Sequence, residues 1–336
     1  MFGATKLAER VQLFRQLATL VHAGMSLGMA LSTVEEQGGS VEQRQALRDA
    51  ARSVSSGKRF SEAMQRHPKV FSELNVALIA AGEEGGHLDE MLTLSADYLE
   101  RDLEFQQTLA RETLYPKILL AAVLLIPLGA RMVIAALTLS LAQALVIGIK
   151  YMALLGLVVG LPVVLLWLLY RRYYHGTAQG RRMIDAFKLR IPVLGAVSTK
   201  LSWAHLCRAL SALYGAGVNI RSAVEIASNT AANRAIEEAL ERSIPALERG
   251  EKLSEAMAKT GQIPPLALSM LRTGEESGQI DSTMAKVADY FEAEAFTTVR
   301  KSMTMIVPIA VIFFGVVVLI MALQAYMGYA TDLLKP

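Results

Sequence analysis

The sequence of 336 residues has a single cysteine, Cys207, and a net formal charge of only +3. One cysteine excludes an intramolecular disulfide framework and is typical of a chain that folds in a reducing compartment. We expect Cys207 to be a free thiol of the hydrophobic core. The small net charge gives no basis for nucleic-acid binding. The composition therefore points away from disulfide-stabilised secreted proteins and from nucleic-acid-binding proteins.

Sequence motifs for catalysis and for cofactors are also missing. Gly57-Lys58 resembles part of a phosphate-binding loop, but Arg52 stands where that loop requires its first glycine. The five histidines lack the His-Glu-x-x-His spacing of zinc proteases, and Cys207 lacks the partner residues of a zinc site. The sequence thus predicts no catalytic residue, no cofactor and no metal ligand, as expected of a protein that is not an enzyme.

Long apolar runs, by contrast, are present. A bilayer core requires about 20 apolar residues in a helix, and the runs predict three spans at 115–134, 151–170 and 303–328. We expect residues 135–149 to form a short non-cytoplasmic connection between the first two spans, and 329–336 to form a short non-cytoplasmic tail. Basic residues lie on one side of these spans, at Arg101, Arg111, Lys117, Arg171, Arg172, Arg300 and Lys301. Since such residues accumulate on the cytoplasmic side, we expect the polar domains 1–114 and 171–302 to be cytoplasmic.

The rest of the chain is organised around a repeat. The segment 80–89, which contains Gly-Glu-Glu-Gly-Gly, recurs as 272–281 with Gly-Glu-Glu-Ser-Gly, and each copy leads into a helix with the pattern Ala-Asp-Tyr-(Leu/Phe)-Glu. Upstream matches have an offset of 193 residues, and downstream matches have an offset of 192. Self-similarity over such a distance indicates one structural unit used twice.

Each repeat has the pattern of a helical bundle. Apolar residues recur with a helical period from Leu7 to Val21. Ser40, three residues before Gln43, has the spacing of a capping box, and we expect Ser61 and Ser72 to cap the next two helices. The sequence predicts an all-α fold with two homologous six-helix cytoplasmic bundles, each followed by membrane-spanning helices.

The repeated turn carries most of the candidate site residues, which are Gly82, Glu83, Glu84, Asp89, Gly274, Glu275, Glu276 and Asp281. We expect both leading glycines to adopt a positive φ angle. The carboxylates permit two interpretations. They satisfy free N–H groups at a helix N-terminus, or they bind a divalent cation or a partner.

A basic stripe lies on the third predicted helix, where Arg44, Arg48 and Arg52 recur every four residues. The aligned positions of the second repeat are Glu237, Glu241 and Pro245. This face is an ordinary solvated surface, or the two domains bind different partners, or each other in an oligomer, through complementary charge. The arginines, with Glu237 and Glu241, are therefore candidate partner-binding residues.

Three features together resemble the type II secretion F family. They are the segment Phe-Arg-Gln-Leu-Ala-Thr-Leu at 14–20, the turn Gly-Glu-Glu-x-Gly-x-(Leu/Ile)-Asp, and the entry Tyr115-Pro116 into a span. That family comprises inner-membrane platform proteins of type II secretion, type IV pilus and competence pseudopilus machines. The resemblance implies a multi-pass protein that couples a hexameric cytoplasmic ATPase to the assembly of pilins or pseudopilins.

The resemblance also implies the partners: the ATPase, the transmembrane helices of pilins or pseudopilins, other inner-membrane assembly components, lipid and further copies of the chain. The alternative function is a membrane transporter or channel component. It is disfavoured because the predicted spans contain no acidic residue and most of the polar mass lies outside them.

Overall fold

The computed structural model describes residues 2–114, 192–231 and 233–333, together with scattered positions between 117 and 168. Throughout these residues the secondary structure is helical and no strand occurs, which confirms the predicted all-α class. The contacts divide the chain into two units, Met1–Leu109 with Asp185–Phe296, and Ala110–Ile184 with Thr297–Pro336. Helices of both repeats therefore belong to the first unit.

The first repeat forms six helices, as predicted: α1 Phe2–His22, α2 Leu27–Glu36, α3 Val41–Ser55, α4 Phe60–Gln65, α5 Glu73–Gly85 and α6 Leu88–Glu112. The hydroxyl of Ser40 accepts a hydrogen bond from the Gln43 N–H and caps α3, while Ser72 caps α5. The prediction for Ser61 is wrong. It lies inside α4, and Arg59, which precedes that helix, makes no side-chain cap.

The second repeat forms seven helices within the described residues: α7 Pro192–Gly215, α8 Ile220–Asn229, α9 Arg234–Glu241, α10 Ile244–Glu248, α11 Leu253–Ala258, α12 Pro265–Ser277 and α13 Ile280–Leu333. The expected six-helix copy is thus corrected. Two short helices, α9 and α10, replace the single α3, and Pro245 lies in the first turn of α10. Proline fits that position but interrupts a helix that reaches it from the N-terminal side.

The core of the first repeat is built on three aromatic rings. Phe71 makes edge-to-face contacts with Phe14 and Phe60, with ring centroids 6.1 and 6.0 Å apart, and such pairs stabilise beyond the area they bury. Cys207 is aligned with Phe14, and both Cys207 and Trp203 are buried in the core of the second repeat. Burial raises the pKa of the Cys207 thiol to about 12. The prediction of a buried core thiol is therefore confirmed.

The structure describes one of the three predicted membrane spans much more fully than the other two. The spans at 115–134 and 151–170 lie largely outside them. The span at 303–328 lies within α13, which is helical through Pro308. Among the described parts of the chain, no helix meets the length and apolarity that a membrane crossing requires. The three spans stay sequence-based predictions.

Candidate functional site

Gly82 and Gly274, the first glycines of the repeated turn, lie inside helices α5 and α12. Neither has a positive φ angle, so that expectation is wrong. Their role is close packing. A Cβ atom at Gly82 would lie 2.7 Å from Met91 Cγ and 3.1 Å from Leu88 Cα, and one at Gly274 would lie 3.1 Å from Ile280 Cα. Glycine is required here because the next helix approaches the backbone of α5 or α12.

The positive φ angles occur four residues later. Gly86 ends α5 with φ 74°, and Gly278 ends α12 with φ 70°. The His87 N–H donates to the Gly82 carbonyl at 3.0 Å, a bond that closes a helix whose terminal residue is left-handed. The same bond recurs in the second repeat at 2.8 Å. The turn thus sets the direction in which α6 and α13 begin.

Glu83 caps a helix other than its own. Its carboxylate accepts hydrogen bonds from the backbone N–H groups of Phe60 at 2.5 Å and Ser61 at 3.2 Å, and from the Ser61 hydroxyl. These are the first two residues of α4, whose N–H groups have no partner within the helix. Glu83 therefore supplies the cap that Arg59 does not provide.

Glu275 does the same in the second repeat. It accepts hydrogen bonds from the backbone N–H groups of Leu253 at 2.5 Å and Ser254 at 3.0 Å, the first residues of α11. A carboxylate at a helix N-terminus also interacts favourably with the helix dipole. The first Glu of the acidic pair therefore joins α5 to α4 in the first repeat and α12 to α11 in the second.

The other acidic residues of the first turn make exposed contacts with Arg59 and His22. Glu84 accepts from Arg59 at 3.0 Å, and Asp89 lies 3.3 Å from the His22 ring nitrogen Nδ1. The hydrogen bond with His22 holds the pKa of Asp89 below its usual value. Glu276 is exposed in the second repeat. Pairs of this kind contribute little stability each.

The divalent-cation interpretation requires several free oxygen ligands around one point. Both carboxylate oxygens of Glu83 already accept hydrogen bonds, and within the described residues no group of three or more His, Cys, Asp or Glu side chains could hold a metal ion. The geometry of the turn is that of helix capping.

Sequence reasoning missed a second repeated feature, an arginine held by two acids. In the first repeat Arg15 on α1 donates to Glu100 at 2.8 and 2.5 Å and to Asp97 at 2.6 Å, both on α6. The Arg15 guanidinium, through these hydrogen bonds, lowers the pKa of Glu100. The signal was available, because these residues carry the same charges at the aligned positions of both repeats.

The second repeat buries the equivalent cluster more deeply. Arg208 on α7 lies 2.9 Å from Asp289 and 2.7 Å from Glu292, and its side chain is 11% exposed compared with 39% for Arg15. Burial alone would lower the pKa of Arg208, but the hydrogen bonds to Glu292 and Asp289 outweigh it and raise the pKa. The cluster therefore fastens the first helix of each repeat to the last.

The three arginines of the basic stripe, Arg44, Arg48 and Arg52, are all exposed on α3. Arg48 is engaged, because it donates to Glu35 at 2.5 Å. In the second repeat Glu237 and Glu241 are half-buried on the shorter helix α9. The two repeats thus present different charges and different helix lengths at this place.

Both repeats also match the profile of a known protein family. The family profile described as type II secretion system (T2SS), protein F, matches residues 13–136 and 206–328. The chain belongs to the type II secretion system protein F family. The two matched segments start 193 residues apart and end 192 apart, which are the offsets of the internal repeat.

Curated members of the protein F family cover most of the chain. A type IV pilus assembly protein PilC from Thermus thermophilus is 35% identical over 90% of this chain and 77% of its own length. A type II secretion system protein F from Xanthomonas campestris pv. campestris is 33% identical over the same shares. A PilC from Myxococcus xanthus is 28% identical over 94% of this chain and 78% of its own.

These relatives are named for secretion or for pilus assembly, and no catalytic family is indicated. The two segments matched by the protein F profile contain the glycine-acid turn, the Glu83 and Glu275 caps, and the acidic partners of Arg15 and Arg208. The geometric features that recur between the repeats therefore all lie within the segments that match the family.

Proposed function

We propose that this protein is an inner-membrane platform of a type II secretion or type IV filament machine. It couples a hexameric cytoplasmic ATPase to the assembly of pilins or pseudopilins. The observation that carries the proposal is the protein F match in both repeats, each of which runs from the helical bundle into an apolar segment. The protein transmits force and catalyses no reaction itself.

The platform crosses the bilayer three times, at 115–134, 151–170 and 303–328, and ends in a non-cytoplasmic tail at 329–336. The basic residues beside each span support this topology. Both folded repeats then face the cytoplasm, where they meet the ATPase. The spans meet the transmembrane helices of the pilins and other membrane components of the machine.

Arg44 and Arg52 on α3 are the residues that bind an acidic surface of the ATPase. Both are exposed, whereas Arg48 between them is engaged with Glu35. Complementary charge across an interface accelerates encounter and selects the partner. Glu237 and Glu241 occupy the aligned place in the second repeat, so the second repeat binds a partner of a different charge.

Purification of the tagged full chain from native membranes tests the proposal. We expect a secretion or pilus ATPase and a pilin to co-purify, and we expect Arg44→Glu with Arg52→Glu to remove the ATPase while the pilin stays. Lys58→Glu with Lys69→Glu is the matched control, because it makes the same charge change at exposed positions outside α3. If the ATPase still co-purified with both variants, Arg44 and Arg52 would not belong to the interface.

The same preparation distinguishes the platform function from the alternative, a membrane transporter or channel component. If the purified chain carried no ATPase and no pilin but supported solute flux in reconstituted vesicles, the platform function would be wrong and a transporter or channel would replace it. Retention of both partners with no flux supports the platform.

A further inference from the structure

The two repeats pack against each other through different helices. Helices α5 and α6 of the first repeat contact α7 and α8 of the second. The Asn229 amide donates to Glu73 at 2.8 Å, the His205 ring makes an edge contact with Phe105 at 6.0 Å, and Asp102 lies 3.9 Å from the same histidine. The first repeat contributes its last two helices. The second repeat contributes α7, α8 and one side of α13, where Asp289 lies 3.5 Å from Arg101 and the Phe296 ring packs on Phe105.

Each repeat carries both kinds of face, and the internal contact uses one kind from each repeat. One face of each kind is therefore left over, and such a head-to-tail contact can be repeated from one chain to the next. The faces left over are α1, α2 and the start of α6 in the first repeat, and α12 with the side of α13 that carries Lys286 and Tyr290 in the second. The internal contact therefore acts as a template for a contact between chains.

The burial of aligned residues shows which face is unused. Leu74 on α5 is 2% exposed, whereas its counterpart Leu266 on α12 is 39% exposed. Tyr98 on α6 is half-buried, and burial raises its pKa, whereas its counterpart Tyr290 on α13 is 48% exposed. We call Leu266, Lys286 and Tyr290 the uncovered face.

In the first repeat, the unused face is the one on α1 that corresponds to the contacting face of α7. Ala212 and Gly215 on α7 line a groove of about 440 Å³ opposite α6. Their counterparts on α1 are Thr19 and His22, which are both exposed. The His22 side chain is 79% exposed. The surface that α7 presents to the first repeat is thus open on α1.

We propose that a second chain docks its α1, its α2 and the start of its α6 against the uncovered face, repeating the contact that joins the two repeats within one chain. The interface is head-to-tail, so every chain offers the uncovered face to one neighbour and α1 to another. The inference does not rest on the ATPase or the pilin, and it can hold if the proposed function fails.

Charge complementarity supports a second copy of this chain as the partner. Within the chain, Leu94 lines the groove together with Gly215 and Asp281. The residue aligned with Leu94 is the exposed Lys286, and the residue aligned with Asp281 is Asp89. When one chain docks on another in the same geometry, Lys286 meets Asp89 of the second chain. Leu94 and Asp281, which line one groove inside the chain, are thus replaced by an opposite-charge pair between chains.

Disulfide trapping of the full chain in native membranes tests the geometry. The buried Cys207 is first replaced by Ala, and chains with Lys286→Cys and Asp89→Cys, carrying different tags, are expressed together. We expect a cross-link between the two tags and none when either chain is expressed alone, because the faces are unlike. Cross-linking of Lys286→Cys chains to each other would show a like-face dimer and overturn the proposal. A cross-link to another protein, or no cross-link in the mixed membranes, would overturn it too.

The mass of the purified full chain in detergent gives an independent measurement. Leu266→Glu with Tyr290→Glu should weaken association by tenfold or more, since each places a charge in a buried contact. Val41→Glu is the control, because Val41 is 73% exposed and lies on neither face. Lys286→Asp should weaken association, and Asp89→Lys in the same chain should restore it. An unchanged mass in all variants would contradict the proposal.

Discussion

The carboxylate of Glu83 on α5 accepts a hydrogen bond from the backbone N–H of Phe60 at 2.5 Å, so α4 is capped by a helix that follows it in the chain. Glu275 and Leu253 repeat the relationship at the same distance. Helix α4 has only six residues, and a helix that short is not stable by itself. The carboxylate fixes both the beginning of the short helix and its position against the next one.

Replacing Glu83 with Ala should therefore destabilise the first repeat by about 1 to 3 kcal/mol, because two N–H groups and the Ser61 hydroxyl lose their acceptor. Glu275→Ala should have a similar effect on the second. Chemical denaturation of the detergent-solubilised full chain, followed by circular dichroism, measures both. Glu84→Ala is the control, with a change within about 0.5 kcal/mol, since its pair with Arg59 is exposed. Equal effects of Glu83→Ala and Glu84→Ala would refute the cap.

The close approach at Gly82 predicts that Gly82→Ala is destabilising although alanine favours helices. The new methyl group would lie 2.7 Å from Met91 Cγ and 3.1 Å from the Leu88 backbone, and overpacking of this kind costs about 1 to 3 kcal/mol. The midpoint of thermal unfolding should fall accordingly.

Gly28→Ala provides the matched control for the glycine prediction. Gly28 also lies in a helix, but a Cβ there meets its nearest neighbour, Ser55 Oγ, at an ordinary 3.5 Å. Alanine should be neutral or stabilising by up to about 1 kcal/mol at that position. If both alanine variants unfolded at the same temperature, packing would not be the reason for glycine at 82.

The two arginine clusters should differ in their contribution to stability. Arg208→Met leaves Glu292, which is 20% exposed, without its cation, and we expect a loss of about 3 kcal/mol. Arg15→Met acts on a more exposed pair and should cost about 1 kcal/mol or less. Denaturant unfolding of the two variants measures the difference. A greater loss for Arg15→Met would contradict the burial argument.

The same cluster predicts a pH dependence. The pKa of Glu100 is lowered in the folded state, chiefly by the hydrogen bond from Arg15. Its contribution is therefore present above the unfolded value of about 4.3 and is lost as the pH falls through the folded value. Unfolding midpoints measured from pH 7 to pH 3 should converge between the wild type and Arg15→Met. Lys58→Met, outside the cluster, should keep a constant offset; a constant offset for Arg15→Met would exclude the linkage.

Much of the first repeat could be predicted from its sequence, because local signals were strong there. The cap at Ser40, the apolar period of α1 and the glycine pair before α6 all place helix ends within a few residues of those observed. Pro245 carried a signal as well, since proline at the position aligned with Arg52 is incompatible with one continuous third helix.

The long-range relationships could not be predicted in this way. Glu83 lies 23 residues from Phe60, and no local pattern says which N–H groups a carboxylate will reach. Gly82 has the same sequence signature whether glycine is needed for a positive φ angle or for close packing. The Arg15 cluster could have been predicted from the sequence. Its arginine and its two acidic residues recur at the aligned positions of the second repeat, which indicates an ion pair common to both repeats.

In the proposed topology, both repeats lie on the cytoplasmic side of a membrane that the chain crosses three times. Chains without Cys207 and with one new cysteine, at the exposed positions Val41 or Lys259 or in the tail at Thr331, test it by labelling of spheroplasts with a membrane-impermeant maleimide. We expect Thr331→Cys to be labelled from outside, and Val41→Cys and Lys259→Cys only after permeabilisation. Labelling of either repeat in intact spheroplasts would contradict the account.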